Sequence, residues 1–195
     1  MSVRKANHAN EGVYFVTFTC ANWLPLFQMV DGYKYVSKWF DYLQSQNHCI
    51  LGYVIMPNHV HCIIAMRNSG KPLNTIVGNG KRFMAYALVS ELKSKGLENI
   101  LLQLVNGVNN TQKAMGKKHE VFEPSFDWKE CGRLDVLQQK LDYIHWNPCK
   151  GEMPLVANPQ DYLHSSASYY LTGKHAEYEV TDYMKILDMD LTKEN

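Results

Sequence analysis

The sequence predicts an α+β fold: one antiparallel sheet in the split βαβ, or ferredoxin-like, plan, with two helices on one face and an additional tyrosine-bearing helix toward the C-terminal end. Three observations predict it. Strand and helix periodicities alternate as strand, helix, strand, strand, helix, strand, helix. A Pro-Asn pair joins the second and third strands so tightly that they must be antiparallel neighbours. The 46% hydrophobic content, with 12 Tyr, 7 Phe and 4 Trp in 195 residues, supplies a core for one domain.

Each element has its own local reason. "GVYFVTFTC" (12–20) is rich in β-branched and aromatic residues and reads as a strand. Asp31 is expected to cap a helix to about Gln46, with Val36, Trp39, Phe40 and Leu43 as its apolar stripe. "CILGYVIM" (49–56) reads as a strand too apolar to face water, and "HVHCIIAM" (59–66) as its partner. A helix from Asn74 or Thr75 to about Lys95 would turn Ile76, Phe83, Met84, Ala87, Leu88 and Leu92 inward. Gly78 and Gly80 weaken its first turn and point to a later start. Residues 96–118, with three glycines and an "NGVNN" cluster, read as a loop or loose hairpin. "EVFEPSFDW" (120–128) reads as the fourth strand. A helix over 134–147 carries Leu137, Leu141 and Ile144, and Pro148 stops it, biasing Asn147 away from helical geometry. One unit over residues 1–172 is expected, followed by an acidic tail over 173–195 with room for a short helix.

Charge is uneven although the net charge is +1. From Arg67 to Lys118 there are nine Lys/Arg against two acidic residues; from Gly151 to Asn195 there are three against eight. A basic middle can neutralise phosphates, or simply be a solvated face. Cys20, Cys49, Cys62, Cys131 and Cys149 are odd in number and lack CxxC spacing, which argues against a disulfide framework or structural zinc. With no signal-peptide pattern in "MSVRKANHAN" and no apolar run of about 18 residues, a cytoplasmic protein without membrane contact is expected.

Two constellations carry chemistry. In "VIMPNHVHCII" (54–64), His59 and His61 are two apart on a strand and share a face with Ile63, while Val60, Cys62 and Ile64 share the other. Two imidazoles so placed can grip a divalent ion, or can be ordinary polar residues beside a buried strand. In "LDYIHWNPCK" (141–150), Tyr143 and Asn147 are one helical turn apart, flanked by Lys140 and Lys150. An amide oxygen suits a hard cation, and a phenol beside it can attack a phosphodiester. Equally, such a tyrosine can anchor the helix and such an asparagine can cap it.

Together the two motifs resemble the single-tyrosine HUH transposases of the IS200-like family, most closely the REP-associated tyrosine transposases. "YFVTFTCANWLPLF" (14–27), "FEPSFDWKE" (122–130) and "NPQDYLHSSASYY" (158–170) are similar to further family segments, so the resemblance spans roughly 12–172. It implies that His59, His61 and Asn147 are ligands of Mg²⁺ or Mn²⁺ and that Tyr143 is the nucleophile. The implied reaction is DNA transposition by cleavage and rejoining of single-stranded DNA at palindromic hairpins through a 5′-phosphotyrosine link. Lys81, Arg82, Lys93, Lys95, Lys113, Lys117 and Lys118 become candidates for phosphate contact, with exposed aromatics stacking unpaired bases. A homodimer, with sites completed in one chain or between two, stays open. The alternatives are a catalytically silent hairpin-binding protein of the same fold, and a zinc hydrolase, which would need a carboxylate beside the histidine pair.

Overall fold

The computed structural model describes residues 10–192. The N-terminal segment 1–9 and the last three residues of the acidic tail lie outside the described residues. In chain order the elements are β1 (Gly12–Thr19), α1 (Leu26–Met29), α2 (Tyr33–Ser45), β2 (Cys49–Ile55), β3 (His59–Met66), α3 (Leu73–Ser94), α4 (Glu98–Asn106), α5 (Asn110–Ala114), β4 (Asp127–Glu130), α6 (Leu134–Trp146) and α7 (Ala167–Thr172). Short 3₁₀ turns sit at Ala21–Trp23, Asn147–Cys149, Pro159–Asp161 and Tyr183–Asp188. The sheet order is β2-β3-β1-β4, and each neighbouring pair is antiparallel. This is the split βαβ plan that the element order predicts.

The two faces of β3 divide as their alternation requires. Val60, Cys62 and Ile64 pack with Val36, Trp39, Phe40 and Leu43 of α2 and with Met84, Leu88 and Leu92 of α3. Ile63 and Ala65 pack on the other face with Leu137, Leu141 and Ile144 of α6. Full burial stabilises by roughly 1.5–3 kcal/mol for each such side chain, enough to fix α6 across the sheet. Gly52 permits the close approach: a Cβ there would lie 2.4 Å from Leu141 Cδ2.

Gly80 plays the same part on the opposite face. α3 starts earlier than its glycines suggest, at Leu73, and of the two only Gly80 meets a neighbour, Gly78 facing open space. A Cβ at Gly80 would lie 2.4 Å from Trp39 Nε1 and 2.5 Å from Cε2. Gly80→Ala is therefore expected to destabilise by a net of about 1–2 kcal/mol, overpacking outweighing the gain in helix propensity. Urea unfolding checks this, and an unchanged or raised midpoint refutes it.

Several expectations need correction. Asp31 does not cap α2: Gly32 occupies the cap position and no side-chain cap bond forms. Asp31 takes a left-handed φ of 52° instead, in a turn closed by Gly32 N donating to Phe27 O at 2.7 Å. Segment 96–118 is largely helical. Its "NGVNN" cluster supplies a capping box for α5, with Gln112 N donating to Asn109 Oδ1 at 2.9 Å and Asn109 N to Gln112 Oε1 at 3.2 Å. The predicted strand over 120–128 is interrupted. Phe122 makes an isolated bridge to Cys20, and pairing resumes only at Asp127, after Pro124, which has no N–H to give. Phe83 is 63% exposed rather than inward. Asn147 keeps helical dihedrals (φ −57°, ψ −45°) despite the following proline.

The tail packs onto the body as far as it is described. Tyr178 and Val180 join the core under α2, and Ile186 joins the α6 side. Among the described residues no helix is long and apolar enough to cross a membrane.

Candidate functional site

The central strand pair builds the site. The register sets Thr17 opposite His61 and Thr19 opposite His59. His61 is buried, its ring stacked on Phe15 (centroids 5.5 Å apart, 17° between planes). His59 begins β3 directly after the Pro57-Asn58 turn and meets the His61 ring edge-on at 4.7 Å.

Each imidazole has its Nδ1 engaged by a neighbouring side chain. His61 Nδ1 lies 2.6 Å from Thr17 Oγ1, and His59 Nδ1 lies 2.7 Å from Asn58 Oδ1. A carbonyl oxygen can only accept, so His59 carries its proton on Nδ1 and presents the Nε2 lone pair. Burial lowers the His59 pKa to about 4, partly opposed by a hydrogen bond to Asn147. Burial, followed by the nearby His59 and Lys140, lowers His61 to about 3. Both rings are therefore neutral near pH 7, the form that binds a cation.

α6 completes the constellation within the same chain. Asn147 Nδ2 lies 3.4 Å from His61 Nε2. Tyr143, one turn earlier, meets His61 edge-on at 5.2 Å and Phe15 edge-on at 5.9 Å. It is 40% exposed and lines the cleft. The Lys140 and Lys150 ammonium groups lie 5.5 Å and 5.2 Å from the Tyr143 ring centre. A cleft of about 660 Å³ is lined by His59, His61, Tyr143 and Asn147 together with Thr17, Thr19, Trp23, Glu123, Ser125 and Asp127.

The donor set fits a hard or borderline divalent ion. Two neutral imidazoles and a reorientable amide that already reaches both of them stand together, and Thr17 and Asn58 hold the rings in place. Among the described residues no three His, Cys, Asp or Glu side chains group as a metal cluster, and the amide is the further donor that stands against the pair. Glu123 and Asp127 line the same cleft without forming such a group with the histidines among the described residues.

A second polar network fixes the helix that carries Tyr143. Ser166 Oγ accepts from Tyr53 N at 3.0 Å and lies 3.0 Å from His145 Nε2. Burial lowers the His145 pKa to about 4. The unfolded chain holds a proton on this ring below about pH 6.5, whereas the folded chain refuses it down to about pH 4. Stability from this group is therefore complete above about pH 6.5 and is lost as pH falls through that window, by on the order of 3 kcal/mol. In metal-free protein His59 and His61 act in the same direction. Urea midpoints that fail to drop between about pH 7 and pH 5, or that stay as steep in His145→Gln, would contradict this.

The basic candidates separate. Arg82, Lys93, Lys117 and Lys118 line one groove of about 790 Å³ between α3 and the segment after α5, with Tyr86, Met115 and His119. Lys117 also pairs with Glu120 at 2.6 Å. Lys95 is exposed and donates to Met29 O at 3.2 Å, while Lys113 is exposed on α5 and is not part of this lining. Lys81 is at odds with a role in phosphate contact. It is 9% exposed, and its ammonium donates to the carbonyls of Glu123 (2.7 Å), Ser125 (3.0 Å) and Pro124 (3.5 Å). Thr17, Trp23, Asn58, Glu123 and Asp127 were not among the candidates. Only the adjacency of Asn58 to His59 offered a signal for any of them.

No family model matches the sequence, and no curated protein matches it. Solved structures do. A REP-associated tyrosine transposase, solved bound to a REP hairpin, superposes with a TM-score of 0.60 at 17% identity, covering 94% of this chain and 95% of that one. A protein from Deinococcus radiodurans R1, itself only provisionally assigned as a transposase, superposes at a TM-score of 0.43 and 12% identity, over 72% of this chain and 94% of its own, too weakly to carry an argument. Over nearly its whole length, this chain is built on the fold of the REP-associated tyrosine transposase.

Proposed function

We propose that this chain is a single-tyrosine HUH nuclease and strand transferase that cleaves and rejoins single-stranded DNA beside hairpins, the chemistry of DNA transposition. One observation carries the reading: Tyr143 of α6 and Asn147 at its C-terminal cap stand against the His59–His61 pair of β3 in the same chain. The fold relative solved on a REP hairpin supports the choice of ligand.

The Tyr143 hydroxyl attacks a backbone phosphorus. A P–O bond to Tyr143 forms as the P–O3′ bond breaks, the phenol loses its proton, and the departing 3′ oxygen gains one. The phosphotyrosine conserves the bond free energy, so attack by a 3′ hydroxyl reverses the step without nucleotide hydrolysis. His59, His61 and Asn147 would hold Mg²⁺ or Mn²⁺, which supplies positive charge to the phosphate as its own negative charge develops. Lys140 and Lys150 add fixed charge on the tyrosine side. The groove of Arg82, Lys93, Lys117 and Lys118 suits the backbone of the paired stem.

The test is covalent capture. End-labelled hairpin DNA with single-stranded flanks, incubated with the protein and Mn²⁺, is expected to give a protein-linked band on a denaturing gel, and EDTA is expected to remove it. Firm hairpin binding without any adduct, across flank sequences and with either metal, overturns the nuclease reading in favour of a silent binding module.

A further inference from the structure

We infer that Trp23 is the stacking platform for an unpaired base next to the scissile phosphate. The inference rests on the nuclease reading for its ligand, single-stranded DNA. Trp23 is 63% exposed at the lip of the cleft, with its ring 5.8 Å from that of His59 and at 72° to it. A tryptophan there buries little area, and its backbone is costly. Asn22 and Trp23 are consecutive non-glycine residues with left-handed φ of 54° and 57°. Asparagine tolerates that region, but a bulky aromatic seldom adopts it. The turn links buried Ala21 to buried Leu26 and Phe27, and between them it presents a flat apolar face beside the histidine pair.

The turn is held rigidly. Asn22 N donates to Glu123 Oε1 at 3.1 Å, Trp23 N to Cys20 O at 3.1 Å, and Leu24 N to Ala21 O at 3.1 Å. Asn58 ties the turn to the site: its Nδ2 donates to Trp23 O at 3.2 Å, and its Oδ1 takes the His59 Nδ1 proton at 2.7 Å. One amide therefore sets both the ring that would stack a base and the imidazole beside the phosphate. An aromatic ordered in advance loses little entropy on binding, and any base offers it a π face. Glu123 and Asp127 make the same cleft unwelcoming to a second phosphate, while Lys140 and Lys150 attract the backbone to the Tyr143 side.

The test uses binding alone, on Tyr143→Phe protein, so that it does not depend on cleavage. The probe is a DNA hairpin with an oligothymidine flank, in which a single abasic nucleotide is walked along the flank. One position is expected to cost about 5- to 100-fold in affinity, the range of one base–aromatic stack. In Tyr143→Phe/Trp23→Ala that position should cost nothing further, and Trp23→Phe in place of Trp23→Ala should restore most of the dependence. If Trp23→Ala weakens binding but leaves the one-position dependence intact, or if no position stands out, Trp23 is not the platform. Failure of wild type to form the adduct would count against the nuclease reading alone.

Discussion

Tyr143→Phe will abolish the covalent adduct, by at least about a thousandfold, while hairpin affinity stays within about twofold of wild type. The substitution removes one oxygen and keeps the ring that packs edge-on against Phe15 and His61. It also keeps the surface over which Lys140 and Lys150 are placed. Neither the fold nor the neighbouring charges should move, so the loss isolates the nucleophile. Fluorescence anisotropy measures binding, the denaturing gel measures the adduct, and unfolding midpoints report the fold. An adduct that persists in Tyr143→Phe would place the nucleophile elsewhere, and mass spectrometry of the linked peptide would find it. His61→Ala offers a contrasting signature. It too should lower adduct yield, but it should also shift the Mn²⁺ concentration needed, which Tyr143→Phe should not.

Much of the architecture was legible because it rests on local periodicity. The stripe Val36, Trp39, Phe40 and Leu43 and the two-residue alternation of β3 settle which faces meet, and hence that His59 and His61 stand opposite α2 and α3. The i, i+4 spacing of Tyr143 and Asn147 likewise survives into the fold. The parts that could not be read depend on contacts between distant segments. Gly80 looks like a helix breaker until Trp39 is set against it. The "NGVNN" cluster has a loop's composition, yet Asn109 with Gln112 makes a helix start of it. Leu101 and Leu104 bury in α4, but that helix is short and rich in amides, and the glycines around it masked its apolar spacing. Within the site, Thr17 and Asn58 act by fixing imidazole nitrogens, a role that depends on strand register rather than on any motif.

Lys81 gives the second large effect, and it separates a structural lysine from a DNA-contacting one. Its sequence setting, beside Arg82 in a basic stretch, suggests a phosphate contact. The next residue along a helix points about 100° away, however, and here that rotation carries Lys81 into the protein. Its three N–H donors meet the carbonyls of Glu123, Pro124 and Ser125, in the segment that brings Glu123, Ser125 and Asp127 to the cleft. Pro124 has no N–H to give a ladder, so the pairing that Glu123 N makes with Thr19 O does not run on regularly to Asp127, and the ammonium helps to hold the stretch between. Lys81→Met keeps the stem and removes the charge, taking this donor away from three carbonyls. We expect a loss of about 3 kcal/mol, or roughly 6–12 °C in Tm for a chain of this size, together with reduced adduct yield. The salt dependence of hairpin binding should not change. Arg82→Ala and Lys93→Ala should do the reverse, holding Tm while each flattens the slope of log K against log salt by about 1. If Lys81→Met instead flattens that slope and leaves Tm alone, its ammonium faces DNA and the carbonyl cradle is not what the residue is for.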